Sequence, residues 1–379
     1  MNDEQKIEIL KDLIKIKSVN GNELAVSQYI KDLLAKYQIE ATIDAFNGNR
    51  ANLIAEIGDS NSQQVIGMTG HQDTVEYSHL KDWDNNPFDP QIVDGKLYGL
   101  GAADMKSGLA ASVISFIELS QTELKGRVRL LLTAGEELAG EGSYRFKKAQ
   151  IADLSGMIVC EPTDGNVTYA HSGTLNYQIT SVGQAYHSSE PDKGTNAISG
   201  LVEYLNQERI MFDDLPVDDI LGKLQHSVTV IKGGSQVNII PDYAEIFGNI
   251  RSTEVANNAT VIEMIEKVLA DINQKSDYQL SFKAIHDFYP VETQRDHPFV
   301  QAALQSTKKY YTNHAVEADV TTGGTDASVF VLSNKEMPVI ILGPDSEGSS
   351  HKINEHTTVN SYLEMINIYQ DLITNYLAK

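Results

Sequence analysis

The chain has 379 residues, 41% of them apolar, which is enough to bury a sizeable core. Thirty basic residues (Lys+Arg 30) against 52 acidic ones leave a formal net charge of −22. That balance, with no basic block, excludes a nucleic-acid binder and a protein that docks on an acidic membrane surface. Apolar runs such as Val339 to Leu342 fall far short of the ~20 residues of a membrane span.

At roughly 100–200 residues per domain, the length suggests two domains. The opening MNDEQKIEIL carries acids where a secretory signal has a basic and then an apolar stretch, so a cytoplasmic location is expected. The single cysteine, Cys160, allows no intrachain disulfide. Within Met157-Ile158-Val159-Cys160 it reads as a buried strand thiol.

Ile7, Leu10, Leu13 and Ile14, then Val26, Ile30, Leu33 and Leu34, recur at helical spacing and predict two helices. Asn20-Gly21-Asn22 separates them. Strands are expected over 40–46, 51–57 and 64–69. A long polar loop then runs from His71 to Gly99 and holds the only tryptophan, Trp83. Next come a helix over 105–118, a strand over 128–133, a helix over 141–149 and a strand over 156–161. Such alternation implies an α/β layer with a mainly parallel sheet.

After about residue 172 the pattern becomes strand 175–182, helix 195–207, strands 226–231 and 243–251, helix 256–272 and strand 278–286. This β-α-β-β-α-β order suggests an α+β sandwich. Alternation resumes with helix 298–311, strand 337–342 and helix 359–377. The expectation is an α/β domain over 1–172 and 290–379, interrupted by a smaller α+β domain over 173–289.

Five places combine metal-ligand side chains with a strand end or a Gly-rich turn. They are His71-Gln72-Asp73, Asp104 after Gly101-Ala102-Ala103, Gly135-Glu136-Glu137, Glu161-Pro162, and His351 in His351-Lys352-Ile353-Asn354-Glu355. Each has a plainer reading by itself. His71-x-Asp73 can be a solvated turn. The Glu136-Glu137 pair can simply favour a helix N-terminus. Asp104 can cap the following helix, Glu161 can open a loop, and His351 can lie on the surface. Three of the five follow expected strands, however, and open α/β sheets bind ligands beyond the carboxyl ends of their strands. Two imidazoles and three carboxylates suit a pair of divalent ions sharing a bridging carboxylate. One acid is then left as a base. On extended backbone His71 and Asp73 point to one side, so Asp73 can hold the free ring nitrogen of His71.

These motifs, in this order, resemble the dinuclear zinc peptidase and deacylase family over essentially the whole chain. The resemblance implies that His71 and Glu161 bind one metal, Glu137 and His351 the other, and Asp104 bridges. Glu136 would be the general base and Asp73 would orient His71. The ions would be Zn²⁺ or, with the same ligands, Co²⁺. The insert would be a dimerisation domain of a homodimer. Its His187, in Gly183-Gln184-Ala185-Tyr186-His187-Ser188-Ser189, would reach the partner's site and stabilise the oxyanion. Asn238 and Arg251 would bind substrate, as would Thr325 in Gly323-Gly324-Thr325-Asp326. Without the resemblance His187 reads as a loop histidine, Arg251 as an exposed strand residue and the Gly-Gly-Thr-Asp turn as a helix N-cap.

The implied reaction is hydrolysis of an N-acyl amino-acid amide. N-succinyl-LL-2,6-diaminopimelate is the first candidate substrate, acetylated amino acids such as N-acetylornithine the second, and dipeptides the third. A non-catalytic metal- or amino-acid-binding protein would have no need of Glu136 together with all five ligand positions. Thr325-Asp326-Ala327 departs from the Ser-Asp-Gly-Arg of one desuccinylase branch, which bears on substrate and not on metal.

Overall fold

The computed structural model describes residues 1–76 and 80–378. Residues 77–79 of the expected polar loop lie outside the described residues. The backbone divides into two compact units. The first comprises Met1–Ala170, Glu292–Val320 and Thr325–Lys379; the second comprises His171–Val291 with Thr321–Gly324.

The large sheet has nine strands among the described residues. Six of them follow the spatial order Ala41–Phe46, Arg50–Gly58, Arg127–Thr133, Val65–His71, Gly156–Val159 and Val339–Ile341. The last four of these are mutually parallel, and the first two form an antiparallel edge. Every residue of Val65–His71 is buried. Such unbroken burial is what a parallel strand covered on both faces requires. The helix Ser107–Ser120 is likewise buried nearly all round. Its Gly108 lies so close to the end of strand Gly156–Val159 that a Cβ there would sit 1.7 Å from the Cys160 carbonyl oxygen. The last helix, Val359–Leu377, buries Tyr362, Met365, Ile366, Tyr369, Leu372 and Ile373 on one face, at the helical period. Cys160 is fully buried.

Beyond unexpected short elements such as strands Val167–His171 and Ala318–Thr321 and helix Ala327–Phe330, the structure departs from the sequence reading at three points of this unit. No helix forms over 141–149. The chain makes two short 3₁₀ turns there, Ser143–Arg145 and Lys148–Gln150. Asn52 Nδ2 donates to the Gly142 carbonyl at 2.8 Å and Ser143 Oγ to the Gly140 carbonyl at 2.7 Å, so side chains share these acceptors with the backbone N–H groups of the turns. Secondly, the loop after His71 contains an antiparallel hairpin, Gln91–Val93 with Lys96–Tyr98, which His356–Thr358 joins as a third strand. Asp94 and Gly95 both have positive φ, 49° and 78°, as a two-residue Asp-Gly hairpin turn demands. Thirdly, regular helix starts at Ser107 and not at Met105. Asp104, at φ −116° and ψ 97°, lies in an irregular segment and caps nothing.

The second unit is built on a four-stranded antiparallel sheet in the order Gln225–Gly233, Tyr243–Ser252, Gly173–Val182 and Gln279–Phe288. Helices Ala197–Met211 and Asn258–Asn273 pack on the face carrying Leu175, Tyr177 and Ile179. Asn196 and Asn257 cap them through their side-chain oxygens. No helix among the described residues is long and apolar enough to cross a membrane.

Candidate metal centre

The site grows from three adjacent parallel strands. His71 pairs in register with Thr133, and Thr69 with Val159. His71, the turn at Gly135-Glu136-Glu137 and Glu161 therefore emerge side by side at the carboxyl ends of the strands. Asp104 arrives from the irregular segment before helix Ser107–Ser120, and His351 from the loop before the last helix. All lie in the first unit.

The Asp104 carboxylate turns one oxygen to each histidine. Oδ1 is 3.1 Å from His71 Nε2, and Oδ2 is 3.5 Å from His351 Nε2. Glu161 Oε1 lies 3.5 Å from His71 Nε2, and Glu137 Oε1 lies 2.9 Å from His351 Nε2. His71, Asp104 and Glu137 each offer a ligand atom within 4.8 Å of the others. Two imidazole nitrogens and two carboxylates around one central carboxylate fit a pair of borderline divalent ions.

The electrostatics point the same way. Burial pushes Glu161 well above the usual carboxylate range, and Asp104, Glu137 and Asp326 add to the effect. Burial likewise raises Glu136, as do the charges of Glu161, Asp326 and Glu137. Burial opposes the charged form of His71, but Glu161, Asp104 and Asp73 outweigh it and raise the ring well above its usual value. A hydrogen bond with Glu137, and then its charge, lift His351 to about 9. Asp104 is lowered, against burial, by its hydrogen bond with His71. The cluster thus retains protons that divalent cations would displace.

Asp73 orients His71 differently from the sequence expectation. His71 Nδ1 lies 3.0 Å from the Asp73 backbone carbonyl oxygen and 3.7 Å from its carboxylate. An Nδ1–H that donates to this carbonyl leaves the Nε2 lone pair facing Asp104 and Glu161. The Asp73 carboxylate holds the next turn instead. Its Oδ1 accepts the N–H of Gly135 at 2.8 Å and of Glu136 at 3.3 Å, and Oδ2 accepts that of Glu137 at 3.2 Å. Gly135 has φ +76°, so this turn is a left-handed concavity of amides, suited to an anion.

The other expected site residues divide between the two units. His187, Asn238 and Arg251 belong to the second unit. His187 is exposed, with Nδ1 2.7 Å from Ser189 Oγ. Asn238 lies beside it, because the Ser188 N–H donates to the Asn238 carbonyl at 3.0 Å. Arg251 donates through Nη1 to the Thr174 hydroxyl and, at 3.2 Å, to the Thr322 carbonyl. Thr325 is buried in the first unit, and its hydroxyl accepts the Ala327 N–H at 3.3 Å.

Three buried charged groups around the centre were not singled out by the sequence. Asp326 accepts from the Thr133 hydroxyl, and burial raises it to about 6. Lys106 donates to the carbonyls of Leu13 and Ile16 at 2.8 and 2.7 Å. Glu355 accepts backbone N–H groups from the segment that carries Asp104. Asp326 and Glu355 stand inside Gly323-Gly324-Thr325-Asp326 and His351-Lys352-Ile353-Asn354-Glu355, but nothing in a linear sequence marks which acid of a motif turns inward.

Residues 67–375 match peptidase family M20/M25/M40. A probable succinyl-diaminopimelate desuccinylase of Staphylococcus epidermidis is 33% identical over 409 aligned positions, spanning 100% of this chain and 99% of the relative. Among solved structures, an M20 family metallo-carboxypeptidase from Sulfolobus solfataricus superposes with a TM-score of 0.81 at 18% identity, covering 100% of both chains. A dinuclear metal-binding M20 peptidase from Bacillus subtilis superposes at 0.72 and 20% identity, covering 99% of this chain and 98% of that one. The chain belongs to peptidase family M20/M25/M40 and is a metallohydrolase acting on amide bonds.

Proposed function

We propose that the protein is a cytoplasmic, homodimeric, two-zinc deacylase that cleaves the acyl amide of N-succinyl-LL-2,6-diaminopimelate. The central carboxylate supports the reaction most: Asp104 faces a histidine with each of its oxygens. The choice of acyl group rests on the name of a relative 33% identical over the full length. In this reading His71 and Glu161 would hold one ion, Glu137 and His351 the other, and Asp104 would serve both.

Two bound divalent ions would polarise the scissile carbonyl and acidify the attacking water. Glu136 takes the proton of that water on its carboxylate and returns it to the leaving amine nitrogen. A carboxyl raised by burial is suited to holding a proton between those two steps. Asp73 fixes the amides of the turn that carries Glu136, so the base stays in place while its protonation changes. His187, supplied by a second copy of the chain, donates to the developing oxyanion. Arg251 takes a substrate carboxylate through its planar fork, and Asn238 and Thr325 complete the substrate contacts. Thr174 and Thr322 already fix Nη1 of Arg251, which sets the plane of the guanidinium in advance.

The dimer is supported by apolar exposure in the second unit. The edge strand Gln225–Gly233 leaves Val230 and Ile231 exposed, and helix Ala197–Met211 leaves Ile198 and Val202 exposed.

The test is amine release by purified protein with Zn²⁺ or Co²⁺ and a chelator control. The substrates are N-succinyl-diaminopimelate, N-acetylornithine, N-acetylmethionine and a dipeptide. Chelator-sensitive turnover led by the succinyl substrate is expected. A lead by another member of the panel would overturn the substrate assignment. No turnover on any of them by metal-loaded protein would overturn the deacylase reading.

A further inference from the structure

Glu355 lies four residues beyond His351 and is only 1% exposed. Its carboxylate points at backbone, not at a side chain. Oε2 accepts the Gly101 N–H at 2.8 Å, and Oε1 accepts those of Ala103 at 3.0 Å and Asp104 at 2.9 Å. The Gly99 N–H adds a bond at 3.0 Å to the Glu355 backbone carbonyl. Burying a carboxylate is costly unless hydrogen bonds replace its water; three amides do so in part, and burial still raises Glu355 to about 7. Beyond Asp104, Lys106 Nζ binds the carbonyls of Leu13 and Ile16. The backbone carrying Asp104 is therefore held on both sides by buried polar side chains.

Asp73 offers a parallel. Its carboxylate also gathers three amides, and it too joins two ligand-bearing segments: the strand end with His71 and the turn with Glu136 and Glu137. Glu355 joins the other two, the segment with Asp104 and the loop with His351. Every ligand segment except that of Glu161 is thus tied to another through a buried carboxylate.

We infer that Glu355 is a positioning residue of the metal centre, fixing Asp104 Oδ2 against His351. This rests on the two-metal reading above. The side that depends on Glu355 is the Glu137/His351 side, where Oδ2 stands 3.5 Å from His351 Nε2. The His71/Glu161 side is set by strand ends and by the Asp73 backbone carbonyl, which faces His71 Nδ1 at 3.0 Å. Loss of the Glu355 carboxylate therefore weakens one metal and spares the other.

The experiment is calorimetric titration of chelator-stripped protein with Zn²⁺ alone, native against Glu355→Gln, together with kcat and KM on the best substrate of the panel. The glutamine keeps the shape but turns an NH₂ towards backbone donors. The expected result is a first equivalent bound as in the native protein and a second bound about 10–100-fold more weakly. At limiting Zn²⁺, kcat falls with KM little changed, and excess Zn²⁺ restores part of it. With two Co²⁺ added, the spin coupling between the ions should weaken in the electron paramagnetic resonance spectrum. If the glutamine variant does not fold, Glu355→Asp, which keeps the charge but shortens the reach, should show the same selective loss of the second ion. Native protein that binds two ions, with variants that bind both equally well or lose both together, would overturn the assignment of Glu355 alone. Native protein that binds fewer than two would remove the two-metal reading and this inference with it.

Discussion

His71 Nδ1 lies 3.0 Å from the backbone carbonyl oxygen of Asp73, while the Asp73 carboxylate stays 3.7 Å away. The main chain thus sets the ring tautomer, and the side chain is free to bind the amides of Gly135, Glu136 and Glu137. In Asp73→Asn an NH₂ must face at least one of those donors. Turnover should fall about 10–100-fold, in the range of changes to groups behind metal ligands. His71 should keep its orientation, so the first metal equivalent should bind as before. Steady-state kinetics with metal analysis checks this; an unchanged kcat would leave the held turn without a catalytic role.

Glu136→Gln should retain both metals and lose about 10²–10⁴-fold in kcat, the usual contribution of a positioned acid–base group. Metal content by elemental analysis separates a lost base from a lost ligand. Full activity would assign the proton transfer elsewhere.

His351 links metal binding to pH. Its partner Glu137 raises it to about 9 in the metal-free protein, against ~6.5 when unfolded. A raised folded pKa gives stability that is complete below about pH 6.5 and lost as pH rises towards 9. The metal-free protein should therefore lose stability modestly across that window, by no more than about 1 kcal/mol, because the ring is half-exposed. Metal binding must displace the proton, so affinity should rise with pH over the same interval. Titrations in buffers of different ionisation enthalpy would show the released proton; pH-independent affinity between 7 and 9 would contradict the pairing.

Gly108→Ala would put a Cβ 1.7 Å from the Cys160 carbonyl oxygen, a contact with backbone that no rotamer relieves. Overpacking of this kind typically costs about 1–3 kcal/mol. Because Glu161 follows Cys160 directly, the variant should lose metal affinity along with its unfolding midpoint. Chemical denaturation followed by metal titration reads both.

Cys160 should be inert in the folded protein. It is buried, and desolvation pushes its thiol up to about 12. A disulfide reagent should find no reactive thiol under native conditions and one after denaturation. Rapid native labelling coupled to loss of activity would contradict this.

The final helix was readable in the sequence to both ends, because apolar residues recur at the helical period from Tyr362 to Leu377 and Thr358 caps it through its side chain. The strand ends carrying His71 and Glu161 were readable because buried parallel strands are continuous apolar runs. The 141–149 segment was not: its turns are tied to Asn52, some 90 residues earlier, and a local pattern cannot contain that bond. The Asp94-Gly95 hairpin carried a legible turn signal that the surrounding polarity obscured. Glu355 was invisible for a different reason. Its first partner is the backbone amide of Gly101, 254 positions away, and backbone partners leave no mark on residue identity. Ligand types were therefore legible, while the groups that hold them were not.

The most direct measurement is amine release from N-succinyl-diaminopimelate while chelator-stripped protein is titrated with Zn²⁺. Two ions around Asp104 require activity that reaches its plateau at two equivalents per chain and disappears on chelation. Turnover that survives chelation, or no amine release with two equivalents bound, would contradict a two-metal deacylase.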